Sequence, residues 1–105
     1  MAIVEIDAGV CGHTTTIRAT RDEGYSVTIV IESDCPQVRA LDAELDKVDA
    51  LQQIGLRQGL PSVLETAYAR CAHAACPVPA GLVKAIEVAA GLALPRDVAM
   101  RVSSD

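Results

Sequence analysis

Residues 14–32, TTTIRATRDEGYSVTIVIE, decide the fold. Thr15, Ile17 and Ala19 fall on one side of an extended chain, and Val27, Ile29 and Ile31 do the same after the break. A period of two is the signature of a half-buried strand. Asp22-Glu23-Gly24 between the two runs is a short hairpin loop, with glycine supplying a left-handed position. Working outward, Ala2, Val4 and Ile6 alternate with Ile3, Glu5 and Asp7, so a third strand precedes the hairpin. The connection between them, Gly9-Val10-Cys11-Gly12, carries a cysteine flanked by glycine-rich chain.

Downstream the period changes. Val38, Leu41, Leu45 and Val48 recur at helical spacing after Cys35-Pro36, and a short turn is expected over Asp49 to Ile54. Ser62-Val63-Leu64-Glu65 reads as a capping box opening a second helix, with Leu64, Ala67, Tyr68 and Cys71 along one face. A third helix runs from about Pro77 to Ala90 and stops at Gly91; with only Lys84 and Glu87 charged, it should be largely buried. Val98, Met100 and Val102 alternate as a final strand. The expectation is one α+β domain over residues 1–105, a four-stranded mixed sheet in the order βββ-α-α-α-β, with helices on one face.

Composition narrows the function. The chain has 9 basic and 14 acidic residues, a net charge of −5, with two tyrosines and neither tryptophan nor phenylalanine. Nucleic acid is not an expected partner, because there is no basic patch and no aromatic platform for bases. No apolar run approaches the roughly 20 residues of a membrane helix, and the start of the chain has no export pattern, so a cytoplasmic location is expected. Four cysteines in a reducing compartment point to ligands or reactive thiols rather than disulfides. With 50% hydrophobic residues and few charges to cover its surface, the chain is also expected to form a homodimer.

Cys35-Pro36 and Cys76-Pro77 each stand where a helix should begin. Proline suits the first helical position, which would make each cysteine the cap at the positive end of a helix dipole. Such a thiol is stabilised as thiolate, the form that binds metal and attacks electrophiles. Capping alone explains these cysteines poorly, since serine and aspartate cap better. Topology then predicts a meeting place. In a three-strand meander Cys11 follows strand one and Cys35 follows strand three, at the same end of the sheet. If the last strand runs parallel to the first, the preceding helix crosses back and starts at that end with Cys76.

His73 and Cys76 form a His-x-x-Cys pair with a chelating separation. Cys11, Cys35, Cys76 and His73 would make a three-sulfur, one-nitrogen shell; Cys71 in place of His73 gives four sulfurs, suited to zinc or an iron–sulfur cluster. Cys71 on the apolar helix face also reads as a small core residue. His13 reads as a loop residue, and Asp42, Glu44, Asp46 and Asp49 as a solvated helix face.

Ala8-Gly-Val-Cys-Gly12, Ser33-Asp-Cys-Pro36 and His73-Ala-Ala-Cys-Pro-Val-Pro79 together resemble an uncharacterised family of small prokaryotic proteins. The resemblance implies no activity, but it places Cys11, Cys35, His73 and Cys76 inside shared motifs and Cys71 beside one. Cys76-Pro-Val-Pro79 is also similar to the Cys-Pro-x-Pro motif of the TusA-like sulfur carriers. That similarity implies a persulfide on Cys76 and a redox or sulfur-transfer protein partner. The leading expectation is binding of zinc or an iron–sulfur cluster; the alternatives are a Cys76 sulfur carrier and an interaction module with inert cysteines.

Overall fold

The computed structural model describes all residues, 1–105. Strands β1 (Ala2–Asp7), β2 (Thr14–Arg21) and β3 (Ser26–Ser33) form an antiparallel meander, paired Val4 with Ile17 and Ile17 with Ile31 at its centre. The alternation read from the sequence sets the buried face: Ala2, Thr15, Ile17, Ala19, Val27, Ile29 and Ile31 are all buried. Two four-residue helices follow, α1 (Pro36–Arg39) and α2 (Leu41–Glu44), then a short strand β4 (Lys47–Asp49) and a single 3-10 turn at Ala50–Gln52. Helices α3 (Ser62–Arg70) and α4 (Val78–Ala89) complete the regular structure. The sheet order is β1-β2-β3-β4, and the fold is α+β with four strands.

Two expectations about elements are corrected. The fourth strand is not Val98–Val102, which has no regular secondary structure, is unpaired and is 66–94% exposed at Val98, Met100 and Val102. It is Lys47–Asp49, antiparallel to β3, so the sheet is antiparallel throughout rather than mixed. Alternation permits a strand but does not supply the neighbouring edge that a strand must bond. The unpaired edge of β3 is what ends the helix predicted after Cys35. Asp42 accepts a hydrogen bond from the Ile31 backbone N–H at 2.8 Å, and the Asp46 carbonyl accepts from Ile29 N–H at 2.8 Å. Buried N–H groups must be paired, and the chain from α2 to β4 runs along the edge to pair them. Val38, Leu41 and Leu45 are buried as expected, whereas Val48 sits on β4 opposite Val27.

The helix α4 lies across β1 and β2 and buries Val78, Leu82, Ala85 and Ile86 completely or nearly so. Its approach is close at Gly81, where a side-chain carbon would press on Ile6 and lie 3.6 Å from Val4 Cγ1. Its far end is fixed by a Schellman turn: Gly91 takes φ +76°, with Leu92 N–H donating to Glu87 O at 2.9 Å and Gly91 N–H to Val88 O at 3.1 Å. There the Ala90 carbonyl accepts from the Arg21 guanidinium at 3.4 Å, at the tail of β2. With Gly81 over Ile6 and Ala90 beside Arg21, α4 runs antiparallel to β1. Its first turn therefore lies at the end of the sheet where β1 and β3 finish. No helix is long and apolar enough to cross a membrane.

Candidate thiol site

Three cysteines sit at that end, half-buried against the apolar core: Cys35 at the exit of β3, Cys71 at the end of α3 and Cys76 just before α4. Cys35 and Cys76 both act on Cys71. Its thiol is pushed up from an ordinary 9.0 to about 12, first by burial, then by electrostatic repulsion from Cys76 and a hydrogen-bond contact with that side chain, and last by Cys35. Each of these influences disfavours a negative charge on Cys71, and none of them is a cation. Cys71 is thus held as a neutral thiol in the metal-free protein. No three His, Cys, Asp or Glu side chains stand ready-arranged to hold a metal ion.

The placement of each candidate differs from its sequence reading in instructive ways. Cys35 is the N-cap of α1, with Pro36 at the first helical position, but its side chain makes no capping bond. Its thiol instead donates to Gln37 Oε1 at 3.3 Å, and its N–H donates to Ser33 Oγ at 3.1 Å. A helix of four residues aligns too few peptide dipoles to act strongly on that sulfur. Cys76 is not the cap of α4: Pro77 holds that position, and the Cys76 N–H closes a turn onto the His73 carbonyl at 3.2 Å. Helix dipoles at the two Cys-Pro pairs therefore do not give this site its character; proximity of the cysteines does.

Cys11 is exposed in the β1–β2 loop, next to a fully exposed Val10. The loop is at the same end of the sheet as Cys35, since Thr14 N–H donates to Asp34 Oδ1 at 2.9 Å. Cys11 is nevertheless not among the sulfurs that act on Cys71. His73 is exposed on the α3–α4 turn, where only its carbonyl is engaged with Cys76.

Cys71, ranked behind the other cysteines by its place on an apolar helix face, is the thiol most affected by its neighbours. A spacing of five residues across a helix end leaves no motif to recognise. His13 carries a second surprise. Its Nδ1 lies 3.3 Å from Asp34 Oδ1, so the carboxylate fixes the ring and leaves Nε2 free. Asp34 is held below the usual carboxylate value of 3.8, chiefly by the Thr14 N–H and further by His13, against some desolvation. Asp34 thus ties the β1–β2 loop to the exit of β3. An imidazole oriented by a carboxylate is the usual arrangement of a metal-binding histidine.

Of the remaining acids, Asp42 bonds the β3 edge, Glu44 pairs with Arg70 through 2.6 and 2.8 Å contacts, and Asp49 accepts from Leu51 N–H at 3.1 Å. The capping box is also replaced. Pro61 caps α3, and the buried Gln53 side chain accepts from Val63 N–H at 3.0 Å, with its Oε1 3.3 Å from the Ser62 hydroxyl.

Two shallow clefts lie away from the cysteines, one of ≈ 470 Å³ beside Tyr25, Lys47 and Leu51, the other of ≈ 320 Å³ beside Ile54, Leu56 and Tyr68. Neither is lined by a cysteine or a histidine. In comparison with known proteins, the model of a family of unknown function (DUF6951) matches residues 2–102. No curated protein and no solved structure matches the chain.

Proposed function

The chain thus belongs to the DUF6951 family, and we propose from its own geometry that it binds a thiophilic metal ion, zinc or a small iron–sulfur cluster, through Cys35, Cys71 and Cys76. The observation that carries this reading is the gathering of three half-buried sulfurs at one rim, from segments up to 41 positions apart, with no cation among them. Two thiolates side by side repel, so the site lacks the positive charge that would let all three ionise. A divalent ion supplies it: coordination displaces thiol protons and offsets the repulsion. Soft sulfur donors select zinc or iron–sulfur clusters over magnesium or calcium. Closure around a metal calls for rotation of the thiols towards a common centre, with a fourth donor from Cys11, His13 or His73. His13 has the best-prepared ring, because Asp34 already orients it.

A second reading, a sulfur carrier on Cys76, is favoured by one feature, the contact between Cys76 and Cys71. A neighbouring thiol is what a persulfide needs for transfer or resolution. It would act with a redox or sulfur-transfer partner in a reducing compartment such as the cytoplasm.

Anaerobic purification followed by elemental analysis separates the two. Metal binding predicts near-stoichiometric zinc or iron, with visible absorption for a cluster, lost in the triple Cys35→Ser, Cys71→Ser, Cys76→Ser variant. Protein that stays metal-free after anaerobic reconstitution overturns it. Alkylation mass spectrometry then decides for the carrier only if Cys76 is labelled well ahead of the other three. Replacing Cys11, His13 and His73 singly by alanine identifies the fourth donor as the position whose loss weakens retention most.

A further inference from the structure

Beyond the thiol site, two surfaces of the molecule are complementary and do not touch. One is the free edge of β1, which pairs only with β2 and leaves its other row of backbone N–H and C=O groups unbonded. On its inner side Val4 and Ile6 are only half covered by α4. The other is the segment after α4, where Val98, Met100 and Val102 are 66, 83 and 94% exposed and alternate with Asp97, Ala99 and Arg101. An exposed segment with strand-like apolar alternation and an open sheet edge are the two halves of a strand pairing.

We propose that Val98–Val102 of one chain adds as a fifth strand to the β1 edge of a second copy, and that reciprocal exchange closes a two-fold dimer. Charge supports the pairing and narrows its registers. Setting Val98 and Met100 beside Val4 and Ile6 in a parallel pairing puts Arg101 opposite Asp7 and diagonal to Glu5. Setting Met100 and Val102 beside Ile6 and Val4 in an antiparallel pairing puts Arg101 opposite Glu5. The other antiparallel register, Val98 beside Ile6, brings Asp97 against Asp7 and is disfavoured. Either allowed register covers the half-open Val4 and Ile6 and bonds the edge. Two identical contacts related by one axis form a closed assembly rather than a fibre. The elongated molecule, 47 × 27 × 27 Å, is consistent with a segment reaching away from its own body.

Light scattering and isotope-filtered NMR on the full chain test the proposal. A dimer is expected, with contacts between the 98–102 segment of labelled chains and β1 of unlabelled ones. Met100→Lys should weaken association by about tenfold or more, as loss of a central apolar anchor does. Arg101→Glu should weaken it too, and the triple variant Arg101→Glu, Glu5→Lys, Asp7→Lys should recover it. The circular dichroism of the monomeric variants should match the wild type, showing that the fold survives. A monomer at about millimolar concentration, where an interface this specific should be populated, overturns the proposal. So do tail contacts confined to the same chain, or a dimer indifferent to residues 100 and 101.

Discussion

At the end of the sheet where β2 turns into β3, polar groups are paired off. Arg21 donates to the Gly24 carbonyl at 2.5 Å and to the Ala90 carbonyl at 3.4 Å, while its guanidinium lies 5.0 Å above the Tyr25 ring. Thr28 donates to Asp22 at 2.6 Å, and Gly91 closes α4 against this corner. At the opposite end, where β1 turns into β2 and α4 begins, three half-buried cysteines are gathered and the Cys71 thiol is pushed up. The first end holds the helix to the sheet. The second gathers half-buried thiols with no cation to offset them, the feature on which the proposed metal reading rests.

Breaking that contrast should have its largest effect on metal content. The triple serine variant of Cys35, Cys71 and Cys76 should lose its metal completely by elemental analysis, while urea unfolding of the metal-free forms differs by only about 1 kcal/mol, as expected for exchanging half-buried sulfurs for hydroxyls. Next in size, Gly81→Val should force α4 away from Ile6 and Val4, lowering stability by about 1–3 kcal/mol through overpacking. Because Gly81 sits at the start of α4, near the thiol end, that variant should also retain less metal. Arg21→Ala works at the other end and should cost about 1 kcal/mol, the usual net worth of a hydrogen bond, with metal content unchanged. A loss of metal on Arg21→Ala would show that the two ends are not independent.

The smallest effect concerns acid. The Arg70 guanidinium holds the Glu44 carboxyl below its usual 4.5, first by hydrogen bonding and then by charge, against some desolvation. The folded state therefore favours the carboxylate. Its stabilisation is complete above pH 4.5 and is lost as the pH falls through the lower folded value. Glu44→Gln should flatten that acid limb slightly in pH-dependent urea titrations and leave stability at neutral pH nearly unchanged, because the pair is solvent-screened.

Much of this was legible in the chain alone, for a local reason. Ile17, Ala19, Val27, Ile29 and Ile31 alternate, and alternation fixes which side of a strand is buried before any partner is known. Likewise α4 announced itself by its apolar run and by Gly91, whose left-handed φ stops a helix. The fourth strand was not legible. Val48 fits a helical stripe and Val98–Val102 fits a strand, yet the free edge of β3 claimed the former and left the latter unpaired. Edge pairing is a property of neighbours, not of sequence.

The same division runs through the site. The sequence by itself determined that the chain would build an aliphatic α+β core, with Cys11 in a loop and Cys35 and Cys76 at helix starts. It also determined that Cys11 and Cys35 would leave the sheet at one end, because a meander alternates direction. Only the tertiary structure decided that Cys71 joins Cys35 and Cys76, that Asp34 holds His13, and that Pro77 rather than Cys76 caps α4. Those outcomes depend on how α3 and α4 pack across the sheet, and packing brings together side chains whose separation along the chain carries no trace of their separation in space.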